Sequence, residues 1–190
     1  MRVKLIRNTP DGRGGFRPRS VEGEIRKGIT AHALAQAEEW KRRLQEHHEE
    51  DESWDWKAFV SECRPTGPPS TARYLHYSLW VARELQALMI VEGSGRRRLP
   101  KKAPLPLVYV EYLSVAPENR PTVQKPRRVA GCGSAMLKYA VRLSVRNGWD
   151  GRVGLHSLPG AIAFYKNQGF RDLGMDDEEG FHYMELGGML

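Results

Sequence analysis

The sequence predicts an α/β protein in which helices pack on one mixed β-sheet, with elements in the order β-α-α-β-β-β-α-β-α-β-β. Residues 107–115, LVYVEYLSV, form a nearly continuous β-branched and aromatic run, which is typical of a central strand buried on both faces. Apolar residues recur every three or four positions in residues 31–48 and again after Gly133, which indicates amphipathic helices. The chain shows no internal repeat and no linker, so we predict one domain over residues 1–190.

The N-terminal third is predicted to hold one strand and two helices. Charged and apolar residues alternate over residues 2–7, as in a short strand, and the Gly, Pro and Arg residues of 8–20 predict a loop. Thr30 is the predicted N-cap of a helix over 31–48, and Ser53 is that of a shorter second helix. The residues expected to face inward are Ala33, Leu34, Ala37, Trp40, Leu44, His47, Trp56, Phe59 and Val60.

The middle of the chain is predicted to form strands. Residues 74–83 and 85–93 flank Glu84, as in an antiparallel hairpin. A basic loop over 94–106 leads to the central strand, and a second basic loop over 116–128 follows it.

The C-terminal part opens with a helix after Gly133, ended by Asn147-Gly148. The residues expected on its inward face are Met136, Leu137, Ala140, Val141, Ser144 and Val145. The remaining predicted elements are a strand over 151–158, a helix over 159–168 that Pro159 opens and Gly169 follows, and strands over 170–174 and 181–186.

The composition narrows the class of protein and of partner. Apolar residues make up 40% and charged residues 28%, as in a globular protein. The formal net charge of +7 and the pI near 9.6 favour an anionic partner: a nucleotide cofactor, an acidic substrate or nucleic acid. No long apolar run and no signal peptide are evident, and Cys63 and Cys132 stand in unlike contexts, so we expect a cytoplasmic protein without a membrane partner or a disulfide framework.

The stretch RRVAGCGSAML, residues 127–137, is the strongest candidate for a binding site. A helix N-terminus offers unpaired amides and a partial positive charge, and Gly131 and Gly133 would let a phosphate approach the backbone. The stretch lacks the Gly-Lys-Ser/Thr of a Walker loop, and Met136 stands where a dinucleotide fingerprint needs its third glycine. A glycine turn without a ligand remains the alternative.

Three segments in this order resemble the Gcn5-related N-acetyltransferases. They are LVYVEYLSVAPENR, then RVAGCGSAMLKYAV, then GRVGLHSLPGAIAFYKNQGF. Residues 128–133 fit the family's acetyl-coenzyme A (acetyl-CoA) loop, Arg/Gln-x-x-Gly-x-Gly/Ala, and residues 161–170 fit its later helix. The resemblance implies one N-acetyltransferase domain in which residues 1–70 border the acceptor site and residues 74–190 bind acetyl-CoA.

The resemblance also implies roles for particular residues. Amides from about Val129 to Ser134 would hold the pyrophosphate, and the end of the central strand would pair with the pantetheine arm and splay from the strand at 151–157. The implied cofactor-binding residues are Leu113, Ser114, Val115, Arg128, Val129, Ala130, Gly131, Cys132, Gly133 and Ser134. The amide of Leu113 would stabilise the oxyanion, and the Cys132 thiol would have no chemical role. This chain departs from the family in its longer loop over 117–128 and in Leu158, where many members have an asparagine.

Acetylation of an amine needs a base, because a lysine-like amine with a pKa near ~10.4 is mostly protonated at neutral pH. Glu111 is the candidate base, since burial in an apolar strand would raise its pKa. A structural ion pair is the alternative. The resemblance makes Tyr165 the candidate acid for the departing sulfur, against a core aromatic. His156 would be an alternative base or would orient the acceptor, against a structural histidine.

Three other features are interpreted as structural. Adjacent His47 and His48 point to different faces of a helix, and with the acidic residues 49–51 they are interpreted as a solvated helix end, so no metal site is expected. The basic run 96–102 lacks the aromatic residues of a stacking platform, so nucleic acid is the less favoured partner. The tryptophans expected to pack in the core are Trp40, Trp54 and Trp56.

The sequence therefore predicts direct transfer of an acetyl group from acetyl-CoA to a primary amine in a ternary complex. The amine acceptor stays open. The alternatives are a non-catalytic CoA-binding sensor or a nucleic-acid-binding regulator on the same fold. Many relatives are dimers, so a homodimer is one possibility, and the oligomeric state stays open.

Overall fold

The structure, a computed structural model, describes residues 1–64, 73–96 and 105–187, with the side chains of 94–96 left out. Nine strands and four α-helices lie within these ranges. The strands are β1 Arg2–Pro10, β2 Phe16–Lys27, β3 Tyr74–Val81, β4 Glu84–Arg96, β5 Pro106–Val115, β6 Val129–Ala130, β7 Val153–Ser157, β8 Arg171–Asp176 and β9 Phe181–Leu186. The helices are α1 Ala31–Glu46, α2 Trp56–Glu62, α3 Cys132–Arg146 and α4 Ile162–Asn167.

The strands form one mixed sheet in the order β6-β1-β2-β3-β4-β5-β7-β9-β8. Strands β5 and β7 are parallel, whereas β7 and β9 are antiparallel. The predicted class, a mixed sheet with helices, is confirmed. The chain contains two strands that the predicted order lacked, β2 and β6.

The loop predicted over residues 8–20 is wrong, because β1 and β2 form a long hairpin. Their register runs from Arg2 opposite Glu24 to Pro10 opposite Phe16. The turn is closed by Asp11, whose Oδ1 accepts hydrogen bonds from the amides of Arg13 (2.8 Å) and Gly15 (2.9 Å). These strands contain Gly and Pro residues that propensity alone assigns to a loop, so cross-strand pairing outweighs propensity here.

The first helix begins as predicted and ends earlier. The Thr30 hydroxyl accepts a hydrogen bond from the Ala33 amide at 3.2 Å. The helix ends at Glu46 and leaves His47 exposed, so the inward placement of His47 is wrong. Its buried residues are Ala33, Ala37, Trp40 and Leu44.

The N-cap of α2 is Asp55, and the prediction of Ser53 is wrong. Oδ1 of Asp55 accepts hydrogen bonds from the amides of Lys57 (2.9 Å) and Ala58 (3.1 Å), so a carboxylate two residues further on satisfies the helix start. Edge-to-face contacts join Trp54, Trp56 and Phe59 in one aromatic cluster.

The later elements follow the prediction closely. Helix α3 ends before Gly148, which has φ +74°, and the Trp149 amide donates to the Ser144 carbonyl at 2.9 Å. Val145 is 59% exposed, so its inward placement is wrong. The buried stripe of α3 passes through Met136, Leu137, Ala140 and Ser144. The predicted C-terminal pair is confirmed as antiparallel β8 and β9.

The chain divides into two compact units. The first unit comprises residues 1–64, 76–89 and 113–136, and the second comprises the described parts of 65–75, 90–112 and 137–190. Most of the basic run 96–102 lies outside the described residues. Among the helices of the described ranges, none combines the length and apolar character needed to cross a membrane. Within those same ranges, no group of three or more His, Cys, Asp or Glu side chains could hold a metal ion.

Candidate functional site

The first unit contains the predicted phosphate loop at the start of α3. Gly131 has φ +92°, a left-handed conformation that favours glycine, and it turns the chain from β6 into the helix. The Ala135 amide donates to the Gly131 carbonyl at 2.9 Å. The amides of Cys132, Gly133 and Ser134 therefore precede the helical ladder, as in any helix start. Gly133 and Ser134 are half-buried, whereas Cys132 is buried.

Asn119 and the N-terminal hairpin hold this loop in place. Strand β6 pairs with β1 through Ile6 opposite Ala130. The Val129 amide donates to Oδ1 of Asn119 at 2.8 Å, and Nδ2 of Asn119 donates to Oε1 of Gln86 at 2.9 Å. The Val129 amide is thus engaged within the protein. We therefore confine the candidate phosphate donors to the first turn of α3.

The two arginines before the loop differ in their surroundings. Arg128 forms ion pairs with Glu84 and Glu118. Arg127 has an exposed side chain. Burial raises the pKa of the Cys132 thiol to about 12 and outweighs the positive charge of Arg127, which lowers it. The thiol therefore stays protonated, in agreement with the expectation that it has no chemical role.

A buried ion-pair network surrounds the end of β5 in the first unit. Arg120 donates to the Val115 carbonyl from Nε (3.1 Å) and Nη2 (3.0 Å) and to Ser114 Oγ from Nη2 (2.9 Å). It also pairs with Asp51 at 2.6 Å and with Glu49 at 2.9 Å. We name these five residues the Arg120 network.

Sequence reasoning missed the Arg120 network. It interpreted the acidic run around Asp51 as a solvated helix end, whereas Asp51 is buried and accepts a hydrogen bond from Ser114 Oγ at 2.8 Å. The sequence shows only an acidic run and a distant arginine, Arg120, and no characteristic spacing indicates that they pair.

Strands β5 and β7 form a short parallel pair. The register runs from Val108 opposite Val153 to Val110 opposite Leu155, after which β5 continues to Val115. The Val108 amide donates to Arg152 on the β7 side, and the Ala116 amide donates to Gln86 of β4. Strand β5 therefore extends five residues beyond the last residue that pairs with β7. The splay of β5 from β7 stays a prediction.

Glu111 lies in β5 of the second unit and is half-buried. Burial, followed by the negative charges of Glu92 and Glu179, raises its pKa to about 7, and Arg73 opposes the shift. Arg73 is itself paired with Glu92 at 2.7 Å. The carboxyl group therefore changes charge near neutral pH, as a general base requires. Its role as base stays a prediction.

His156 of β7 is held through both ring nitrogens. Nδ1 forms a short hydrogen bond with the Tyr109 hydroxyl, and Nε2 lies 3.0 Å from Oδ2 of Asp176. The ring also packs against Tyr183, with centroids 5.1 Å apart. Sequence reasoning singled out His156 but neither Tyr109 nor Asp176, because Asp176 comes 20 residues later on a different strand.

Tyr165 of α4 is buried in the second unit. Its ring makes edge contacts with Phe164 (5.1 Å between centroids) and Phe170 (5.6 Å). This packing suits a core aromatic residue, and the role of Tyr165 as an acid stays a prediction. The three candidate catalytic residues, Glu111, His156 and Tyr165, all belong to the second unit.

Comparison with known proteins identifies the fold. No family model matches the chain, and no curated protein matches it in sequence. Among solved structures, the ribosomal-protein-S18-alanine N-acetyltransferase from Escherichia coli is 19% identical with a TM-score of 0.52, and the match covers 88% of this chain and 96% of that one. The PaiA N-acetyltransferase from Thermoplasma acidophilum, in complex with coenzyme A, is 18% identical with a TM-score of 0.57 over 87% and 99%. The GNAT domain of S. lividans PAT is 14% identical with a TM-score of 0.58 over 98% and 97%. The chain therefore has the fold of the Gcn5-related N-acetyltransferases.

Proposed function

We propose that this chain is a Gcn5-related N-acetyltransferase that transfers an acetyl group from acetyl-CoA to a primary amine by direct transfer in a ternary complex. The observation that carries the proposal is the start of α3. There, a left-handed glycine precedes three amides that lie outside the helical ladder. The similarity of the fold to N-acetyltransferase structures also supports this proposal.

The diphosphate of acetyl-CoA fits the first turn of α3 on chemical grounds. Helix-start amides and the helix dipole favour negative charge, and glycine at positions 131 and 133 leaves the backbone approachable. The exposed side chain of Arg127 adds positive charge close by in sequence. The end of β5 would hold the pantetheine arm, with the Val115 carbonyl already engaged by Arg120.

The proposed chemistry assigns one task each to Glu111, Leu113 and Tyr165. Bound acetyl-CoA supplies an activated acyl group. Glu111 takes a proton from the acceptor amine, and its pKa of about 7 lets it do so at neutral pH. The Leu113 amide stabilises the charge that develops on the thioester oxygen, and Tyr165 donates a proton to the departing sulfur.

A thiol-release assay over a panel of primary amines tests this function. We expect acetyl-CoA-dependent thiol release with at least one amine, and no release with matched alcohols. CoA should also raise the melting temperature, since a ligand that binds only the native state at 100 times its Kd adds about 2.7 kcal/mol of stability. A chain that neither binds CoA nor releases thiol would contradict the proposal.

The packing of Tyr165 between Phe164 and Phe170 favours one second candidate, a non-catalytic CoA-binding protein. Such a protein would keep the α3 start but would not need Tyr165 as an acid. It predicts a CoA-dependent rise in melting temperature together with no thiol release for any amine, so the same two measurements distinguish the two functions.

A further inference from the structure

The second unit contains a chain of three hydrogen-bonded side chains that no role assigned above explains. Tyr109 bonds to His156, and His156 bonds to Asp176 at 3.0 Å. The His156 and Asp176 side chains are only 11% and 7% exposed. Burying an ionisable pair is costly unless its hydrogen bonds are satisfied, so this arrangement calls for an explanation. We name these three residues the Tyr109 relay.

The carboxylate fixes the direction of each hydrogen bond in the Tyr109 relay. An ionised Asp176 can only accept, so Nε2 of a neutral His156 carries the ring proton. Nδ1 is then the acceptor, and the Tyr109 hydroxyl donates to it. A phenol oxygen that donates its proton can also accept one, so the Tyr109 oxygen is able to take up a proton as it gives its own away. A carboxylate-oriented imidazole polarises a hydroxyl in the same way in hydrolase triads.

Sheet geometry places the Tyr109 relay on the same face as the candidate base. Tyr109 is opposite Gly154 and His156 is opposite Tyr183, so strand alternation puts these side chains on one face. Glu111 lies two residues beyond Tyr109, about 6.6 Å along β5. The charge of Glu179 acts on Glu111, and Glu179 belongs to the β8–β9 turn that follows Asp176.

We propose that Tyr109 is a second proton acceptor in the reaction and that His156 and Asp176 are its positioning residues. This inference rests on the proposed acetyl transfer. An ammonium group must lose two protons to become an amide, and one carboxylate can hold only one. Glu111 takes the first proton. As the C–N bond forms, the second N–H bond breaks toward the Tyr109 oxygen, while the Tyr109 proton passes to Nδ1 of His156.

The charges and protons balance over the whole turnover. The step turns neutral His156 into an imidazolium beside the Asp176 carboxylate, which stabilises it. The two protons that leave the nitrogen pass to Glu111 and His156 and are then released to solvent. The C–S bond of the thioester breaks, the departing sulfur takes the proton of Tyr165, and Tyr165 regains a proton from solvent, so one proton is released per turnover. No oxidant, reductant or further reactant is needed.

Several titratable and charged groups face His156 or lie on its face of the sheet. From β9, Tyr183 packs on the ring and donates its hydroxyl to Glu185 at 2.8 Å. Asp176 faces the ring from the end of β8. From β5, Tyr109 bonds to the ring and Glu111 lies on the same face. The groups near Glu111 are Glu92, Glu179 and Arg73. Most of these charged groups are acidic.

Single-turnover kinetics of Tyr109→Phe test the proposal with the substitution that removes only one oxygen. We expect the rate of acetyl transfer to fall about 10²-fold, the usual worth of an acid–base group, while the acetyl-CoA Kd stays within about threefold. In mixtures of light and heavy water, a plot of the wild-type rate against the deuterium fraction should be curved, because two protons move in the same step. Tyr109→Phe should give a straight line.

Two further variants separate the relay from simple packing. Asp176→Asn keeps the shape of the side chain and should lower the rate at least about tenfold. Tyr183→Phe is the matched control, because its hydroxyl donates to Glu185 rather than to His156, and its rate should stay within about threefold of wild type. Nitrogen-15 spectra of His156 give a readout that needs no activity: the Nε2–H tautomer in wild type, and loss of that preference in Asp176→Asn.

The outcomes distinguish the relay from the proposed function. An active wild type with a fully active Tyr109→Phe variant, or an Nδ1–H tautomer of His156, overturns the relay alone. A wild-type chain that is inactive with every amine overturns acetyl transfer and the relay with it. Reduced rate and a straight isotope plot in a Tyr109→Phe variant with an unchanged melting temperature support the relay.

Discussion

Glu111 can titrate near neutral pH because the protein limits its hydration and surrounds it with like charge. Burial is the largest cause of its raised pKa, and Glu92 and Glu179 add to it. Arg73 would lower the pKa, but Glu92 pairs with Arg73 and offsets its charge. The basic chain thus keeps an acidic neighbourhood around one carboxyl group, which is a common way to tune a catalytic base.

Glu111→Gln should remove the pH dependence of turnover. The carboxyl group works as a base only when ionised, so kcat/KM should rise with pH through about 7 and then level off. Glu92→Gln should keep this rise but move its midpoint to lower pH, because a negative neighbour is lost. Thiol release measured from pH 5 to 9 checks both variants. A Glu111→Gln variant with the wild-type profile would exclude Glu111 as the base.

The same pKa predicts how Glu111 affects stability. Its folded pKa, about 7, lies above the ordinary value of 4.5, so its stabilising proton is fully bound below 4.5 and is lost as pH rises through 7. Glu111→Gln should therefore raise the melting temperature at pH 8 and leave it nearly unchanged at pH 4.5. Glu46→Gln, at an exposed surface pair, is the control and should show no such pH difference. Equal changes at both pH values would contradict the raised pKa.

Residue roles could be predicted from the sequence only where local pattern carries them. Glu111 stands out as a charge within an apolar strand, and its titration near neutral pH followed from that burial. Asp176 and Arg120 do not stand out, because their partners come from distant segments. The fold brings these partners together, so a single sequence does not show which residues will be in contact.

At the scale of elements, the sequence predicts the helix ends, which depend on local signals, better than the β1–β2 hairpin, which depends on pairing between strands. Thr30 caps α1, and glycines follow α3 and α4, because these signals act within one turn of the chain. The β1–β2 hairpin escaped prediction because its residues 16–20 are exposed on both faces and show no apolar alternation. Only pairing with β1 makes that segment a strand, and Pro18 is tolerated where β3 does not pair with β2.

Helix α3 offers a matched test of the candidate phosphate site at its two ends. Gly131 (φ +92°) precedes the helix and Gly148 (φ +74°) follows it. Alanine at either position should cost about 1 kcal/mol of stability, because both glycines have left-handed backbones. Only Gly131→Ala should also weaken CoA binding, by about tenfold, since it disturbs the amides that would meet the diphosphate.

Calorimetric titration with CoA and with pantetheine checks this prediction. The wild type should favour CoA strongly over pantetheine, which lacks the diphosphate, and Gly131→Ala should narrow that preference. Gly148→Ala should keep it. Equal losses of CoA affinity in both variants would mean that the effect is one of helix stability and would remove the start of α3 as the phosphate site.

At the scale of the whole molecule, the Arg120 network joins segments far apart in the sequence. Glu49 and Asp51 follow α1, Ser114 and Val115 end β5, and Arg120 opens the long loop toward β6. Burial by itself would raise the pKa of Asp51, but the hydrogen bonds and charge of Arg120 outweigh it and lower the pKa. A buried arginine with several satisfied bonds depends on every partner, because loss of one leaves a charge without compensation.

Asp51→Asn should therefore destabilise the chain by about 3 kcal/mol at pH 7, as expected for breaking a buried ion pair. Because the folded pKa of Asp51 lies below its ordinary 3.8, its contribution is present above that value and is lost as pH falls below it. Urea unfolding at pH 7 and pH 3 should thus show a smaller difference between variant and wild type in acid. Glu46→Gln, which removes an exposed partner of Arg42, should cost less than about 1 kcal/mol at either pH. An Asp51→Asn variant as stable as wild type at pH 7 would show that Glu49 and Ser114 alone satisfy Arg120.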